Sequence, residues 1–357
     1  MRCMKKVLII NTNQLGFLTD TLKYCEHLNK SYSIDFLCYD YGYDKVSIDG
    51  VHVTYVPHPR NRHLQGFLFL TYAIIKCLFY SGCIFVVYFP YCKYLKQILF
   101  WKNMNLDIRT LSVSSNSIAR ESSDRMLNET IRYYDSVSYI SEGVKNKLKG
   151  LGEKKSYKLP LGADVISENS KVFDTIKLLY VGTLTNRNII LTVKGLKRFV
   201  DENPQVCISY DIIGDGEEFE SVCQFVKLNQ MTDYCKLHGR LAYKQLRPFF
   251  DDCNVGVSFV PITEYYNDQP PTKTFEYCLS GLLVIATSTR ANREVVNNNN
   301  GLLIYDTEEA FYNALCKLHT NYGHYDSEII RRTMIDYSWD KLINKYLVPI
   351  INNGKNG

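Results

Sequence analysis

Twelve cysteines are spread singly through the 357 residues, with no CxxC pair among them. No Cys and His stand at the spacing of a zinc site either. Disulfide scaffolds and zinc modules are thereby excluded, and the cysteines read as reduced, apolar core residues of a cytoplasmic protein. The start, MRCMKKVLIINTN, places two lysines before a short strand. It has neither the length nor the cleavage site of a secretory leader. Internal repeats, low-complexity tracts and heptads are all missing, which removes solenoids and coiled coils. Long apolar runs are scarce too. Residues 66–89 carry one charge, Lys76, but Ser81–Gly82 interrupt them. They read as a helix followed by a central strand, IFVVYF (84–89), rather than as a membrane span.

What is present describes a globular α/β chain. Hydrophobic residues make up 46% and charged residues 22%, and the length suits two domains with proper cores. Charge is distributed unevenly. Residues 1–164 hold 22 Lys/Arg against 14 Asp/Glu, or +8, and the remainder holds 20 against 23, or −3. That asymmetry points to an anionic partner for the first half, an incidental solvated face being the plainer alternative. No nucleic-acid recognition motif accompanies it, so nucleic acid is not expected. A bilayer surface or a lipid-pyrophosphate acceptor fits better. Residues 91–105, YCKYLKQILFWKNMN, read as a basic amphipathic helix with Lys93, Lys96 and Lys102 beside Trp101. Such a helix either lies in a membrane interface or covers its own sheet.

Strands and helices alternate along both halves, which predicts doubly wound parallel sheets. In the first half the strands are KVLIINTN (6–13), SIDFLCYD (33–40), VHVTYVP (51–57), IFVVYF, DIRTLSV (107–113) and SVSYIS (136–141). Gly16, in the loop after the first strand, allows a ligand close to the backbone. A polar segment at about 165–175 separates the halves. The second half opens with IKLLYVGTL (176–184), continues through IIGDGEE (212–218), CKLHGR (235–240) and a helix over 242–253, and ends in a helical tail.

The most informative stretch is 255–289. VGVSFVP (255–261) is a buried strand, a loop with Pro270 and Pro271 follows, and Thr272 is expected to cap a short helix stopped by Gly281. LLVIAT (282–287) is the next strand. Ligands of open α/β sheets lie at the carboxyl ends of the strands. The helix start therefore brings Lys273 where a phosphate would sit and Glu276, one turn on, where two ribose hydroxyls would. Earlier in the half, YVGTLTNRN (180–188) is a glycine turn between strand and helix, whose amides suit a diphosphate. Arg187 can add bidentate pairing there.

PPTKTFEYCLSGLLVIAT resembles the donor-site segment of bacterial sugar transferases with the GT-B fold, glycosyltransferase family 4 (glycosyltransferase group 1). Glu276 matches the second Glu of the family's Glu-x7-Glu pattern and Asp268 falls on the first. In the G-R-L…K-G pattern Gly182 and Leu184 match, while Thr183 replaces the Arg and Asn188 the Lys. The resemblance implies two Rossmann-like doubly wound domains facing a central cleft. These would be residues 1–165 for the acceptor and 176–335 for the donor, with a tail, 336–357, crossing back to the first domain. It implies a retaining glycosyltransferase that uses a nucleotide sugar, expected to be UDP-linked, and a saccharide or lipid-linked acceptor in bacterial surface polysaccharide synthesis. No cofactor or metal is expected, and the location is cytoplasmic with peripheral contact at the inner membrane. Arg187, Lys273 and Asp268 would be catalytic. Gly182, Thr183, Gly214, Gly216, Arg240, Leu241, Thr272 and Glu276 would bind the donor, with Gly214 and Gly216 leaving room for base or ribose. Gly16, Ser114 and Asn116 would lie on the acceptor side. The loop at 112–120 has no His, where many members carry one; the resemblance implies that the leaving phosphate takes the acceptor proton. A nucleotide-sugar epimerase on the same fold and a non-catalytic nucleotide-sugar-binding homologue are the alternatives.

Overall fold

The computed structural model describes residues 4–114 and 116–354; Met1–Cys3, Ser115 of the 112–120 loop and the last three tail positions lie outside them. The chain forms two compact units, Met1–Leu161 with Trp339–Gly357, and Gly162–Ser338.

The first unit is a seven-stranded sheet. Its strands are β1 (Lys5–Ile10), β2 (Tyr32–Asp40), β3 (Val51–Pro57), β4 (Cys83–Val87), β5 (Met104–Ile108), β6 (Ser136–Tyr139) and β7 (Lys155–Lys158), in the order β3-β2-β1-β4-β5-β6-β7. Every pairing is parallel. Helices α1 (Thr19–Leu28), α2 (Arg62–Leu78), α3 (Cys92–Ile98), α4 (Ser117–Ile131) and α5 (Glu142–Lys147) connect them. Central strands such as β4 are buried throughout, as a sheet covered on both faces requires.

The expected helix over 91–105 is shorter than its pattern. α3 ends at Ile98 and β5 begins at Met104. Its lysines also turn inward. Lys96 is 3% exposed, donates to the Phe100 and Lys102 carbonyls and pairs with Asp135. Lys93 pairs with Glu129, and Lys102 donates to the Tyr80 carbonyl. The basic stripe is thus consumed within the unit, because unpaired carbonyls at a helix end and a loop are satisfied by a nearby ammonium.

The second unit holds six parallel strands: β8 (Ile176–Val181), β9 (Ile208–Ile213), β10 (Cys235–Leu237), β11 (Val255–Ser258), β12 (Leu283–Thr287) and β13 (Gly301–Ile304). Their order, β10-β9-β8-β11-β12-β13, reverses direction between β8 and β11, the switch point where such sheets hold ligands. The helices are α6 (Ile190–Glu202), α7 (Phe219–Leu228), α8 (Arg247–Asp252), α9 (Thr272–Leu279), α10 (Arg290–Arg293), α11 (Glu308–Asn321) and α12 (Ser327–Met334). The expected single helix at 242–253 is a 3-10 turn, Tyr243–Gln245, followed by α8, with Pro248 in the first turn where its missing N–H costs nothing.

The tail, α13 (Trp339–Leu342), a π turn and α14 (Val348–Asn353), belongs to the first unit. Trp339, Leu342, Leu347 and Ile350 join Val7, Tyr24 and Phe85 in its core. Lys5 donates to Asn352 at 2.8 Å.

Candidate nucleotide-sugar site

α9 starts at the carboxyl edge of the second sheet, held by buried polar contacts. Thr274 Oγ1 lies 2.7 Å from the Ser258 hydroxyl and donates to Asn292 Oδ1, and Asn292 donates to the Thr287 carbonyl. Tyr277 lies flat over Gly256, where a Cβ would come within 2.2 Å of its ring. Its hydroxyl accepts the Val181 N–H at 2.8 Å, which ties α9 to the last residue of β8, just before Gly182. Thr272 is the first helical residue rather than the cap. Pro271 occupies that position and gives no side-chain cap, so the first-turn amides have no side-chain acceptor from it.

Glu276 is 4% exposed, and burial pushes its carboxyl up, opposed by Lys273, whose Nζ is 2.5 Å from Oε2. That ammonium is the partner of Oε2, which is otherwise buried. A buried carboxylate held by one ammonium keeps further acceptor lone pairs, which a ligand's hydroxyl donors would fill. Beside it, Lys273 lies over the Tyr243 ring, and the Tyr243 hydroxyl donates to Asp164. Arg240 and Leu241 precede Tyr243 on an exposed to half-buried loop after β10.

The glycine loops behave differently from the sequence expectation. Gly214 and Gly216 do not leave open space. Their φ values are 145° and 151°, and a Cβ would meet the Gly182 carbonyl at 1.7 Å and the Thr185 amide at 2.6 Å. They are glycine because two loops of the same unit pack backbone to backbone. Most amides after β8 are likewise engaged within the unit. Gly182 N–H goes to Ile213, Leu184 to Asp215 and Thr185 to the Thr183 hydroxyl. The amides of Arg187, Asn188 and Ile189 all converge on the Glu218 carboxylate at 2.8 to 3.0 Å. Asn186 and Asn188 have φ of 55°, so the turn forms a concave anion nest filled by the chain's own glutamate.

That arrangement leaves the Arg187 side chain as the cation of the loop. Its guanidinium lies 4.3 Å above the Tyr266 ring centroid, a stacked position that holds the planar fork. Asp268 does not stand free as a catalytic carboxylate. It is 2% exposed, and both oxygens accept from Arg290, at 2.6 and 2.7 Å. Glu218, Tyr266, Tyr243 and Arg290 were not singled out from the sequence, since their roles depend on partners tens of residues away. The EE at 217–218 after GDG was the one local hint. His238 pairs with Asp211 at 2.6 Å. On the first unit, the Ser114 hydroxyl accepts from the Asn116 amide, and Asn116 Oδ1 caps α4 through Ala119 N–H. Both serve the local turn rather than standing free for a sugar. Gly16 has φ of 98° and lies against Val46. Among the described residues, no group of three or more His, Cys, Asp or Glu side chains is placed to hold a metal ion.

Residues 175–321, all within the second unit, match the family model of glycosyl transferases group 1. No curated protein matches the chain in sequence. Among solved structures, sucrose-phosphate synthase from Thermosynechococcus elongatus superimposes with a TM-score of 0.76 at 14% identity over 98% of both chains. The lipopolysaccharide outer core galactosyltransferase WaaB gives 0.70 at 15%, covering 96% of this chain and 99% of its own. HepE from Anabaena, in complex with UDP and glucose, gives 0.69 at 12% over 98% of both. The two parallel-sheet units thus share the GT-B fold of these structures, and residues 175–321 of the second unit match the glycosyl transferases group 1 model.

Proposed function

We propose that the chain transfers a sugar from a UDP-linked donor to a saccharide or lipid-linked acceptor, with retention of configuration, in the assembly of a bacterial surface polysaccharide. The observation that carries the donor half is Glu276, buried at the start of α9 with its Oε2 on the Lys273 ammonium. Glu276 would accept from the two ribose hydroxyls. Lys273 and Arg187 would meet the negative charge that develops on the departing diphosphate. With the Glu218 carboxylate already in the amide nest, this charge falls to the two side chains. No protein base is assigned; the leaving phosphate takes the acceptor proton on the same face. The UDP complex of the HepE structure supports the choice of base, and the likeness to the lipopolysaccharide outer core galactosyltransferase WaaB supports the polysaccharide context. The test is calorimetry with UDP and GDP, followed by donor turnover over a panel of UDP-sugars. Binding of neither nucleotide overturns the donor assignment, and an anomerically inverted product overturns retention. Because no step of the proposal uses a metal, turnover after EDTA treatment should equal that of the untreated protein; its loss would sink this part.

Peripheral membrane contact belongs to the same proposal, on a different basis from the lysines. No helix among the described residues is long and apolar enough to cross a membrane. However, Phe67, Ile75 and Phe79 on and after α2 are exposed, as are Phe100 and Trp101 after α3. Lys102 donates to Tyr80, which brings Phe79 and Trp101 to one end of the unit. Exposed aromatics clustered at one end of a unit can enter a bilayer interface. Phe79→Ser with Phe100→Ser and Trp101→Ser should reduce flotation on anionic liposomes by about tenfold or more. Equal flotation of both proteins would refute the contact.

A further inference from the structure

A row of aromatic rings stands at the carboxyl edge of the first sheet, and the donor chemistry makes no use of it. Residues 39–43 read YDYGY, and β2 ends within them, at Asp40. The rings of Tyr39, Tyr41 and Tyr43 follow one another where β2 runs out. The ring of Phe17, from the β1–α1 loop, is nearly parallel to Tyr43, at 6.0 Å between centroids and 8° between planes. Tyr43 stands in the same relation to Tyr41, at 6.0 Å and 21°. His58, at the end of β3, closes the row 4.3 Å from Tyr41. Phe17 is 60% and Tyr43 55% exposed, so the outer rings face solvent rather than the core.

Their spacing is built. Gln14, 1% exposed, donates to the Tyr43 carbonyl at 2.9 Å and toward that of Asp44, and accepts the Tyr41 amide at 2.9 Å. One buried side-chain amide thus clasps the loop bearing Tyr41 and Tyr43 to the loop bearing Phe17. Gly42, with φ of 78°, supplies the turn between the tyrosines. An open cavity of about 490 Å³ adjoins the rings, lined by Gln14, Gly16, Phe17, Tyr43 and Asp44 among others.

We propose that Phe17, Tyr43 and Tyr41 form a stacking platform for a neutral saccharide, the acceptor chain of the transfer reaction. A pyranose presents a face of C–H bonds that is apolar and slightly positive, and an aromatic face is apolar and negative. Successive near-parallel rings suit successive sugar units, and preorganised rings lose little entropy when a flexible glycan settles on them. The Asp44 carboxylate in the same cavity accepts from sugar hydroxyls. The acceptor role rests on the function proposed above; the binding platform does not.

The test uses the fluorescently labelled full chain on an array of neutral oligosaccharides, with UDP calorimetry in parallel. Wild type should bind a subset of the glycans, and Phe17→Ala/Tyr43→Ala should bind them about tenfold or more weakly. Tyr43→Phe, which keeps the ring and removes the hydroxyl, should behave as wild type. UDP affinity should be unchanged in all three, and matching melting temperatures show that the variants fold. Failure of wild type to bind any glycan, equal binding by the double alanine variant, or loss of UDP affinity in that variant each overturn the platform. Glycan binding by a wild type that does not bind UDP leaves the platform standing and overturns the donor assignment instead.

Discussion

Arg187→Ala should lower kcat by about 10²–10³-fold, the cost of removing one preorganised donor from a site of developing charge. Affinity for UDP should change far less, because a group that acts mainly in the transition state contributes little to ground-state binding. The expectation rests on three features. The amides of the same turn are taken by Glu218, the guanidinium is held on Tyr266, and among the described residues no carboxylate pairs with it. Arg187→Lys should recover only part of the loss, since a lysine neither forks nor stacks in the same way. Steady-state kinetics with saturating UDP-sugar decide the matter. If Lys273→Ala shows the fall in kcat while Arg187→Ala is silent, the cationic clamp lies wholly on α9.

Glu276→Ala should weaken UDP binding by roughly 1.5–3 kcal/mol, about 10–150-fold, the range for hydrogen bonds to a charged group. Unaltered affinity by calorimetry would remove Glu276 from the site. The pH dependence separates this role from a structural one. Burial raises the Glu276 carboxyl above its unfolded value. Its contribution to stability is therefore present below the unfolded pKa and is lost as pH rises through the folded one. Glu276→Gln removes that ionisation. The free variant should then melt at or above the wild-type temperature at pH 8 while binding UDP more weakly. A variant that melts lower and binds UDP as wild type would instead mark Glu276 as a structural partner of Lys273. The expected pairing of gained stability with lost affinity is that of a site held in strain for its ligand.

Much was determined by local pattern alone. Alternating apolar strands and helical periods specify two parallel sheets. Pro270–Pro271 followed by TKTFEYCLSG specifies a short helix with Lys273 and Glu276 on its first two turns, because proline, spacing and a glycine stop act within a few residues. The apolar spacing of the tail announces a helix needing a core to cover it. Other features required the tertiary structure, because they join residues far apart in sequence. Nothing near Lys96 shows that two carbonyls and Asp135 would draw it inward. The glycines of GDG look like space for a nucleotide until Gly182 and Thr185 are seen to fill it. The turn after Gly182 looks like a phosphate loop until Glu218, 31 residues beyond Arg187, occupies its amides. YDYGY shows its period in the sequence, but a period does not say which rings meet. Only the parallel pairing of β1 with β2, and the buried clasp of Gln14, set Phe17 beside Tyr43. Spacing along the chain fixes which side chains share a face; which partners satisfy their charges and hydrogen bonds is decided by the packing that brings distant loops together.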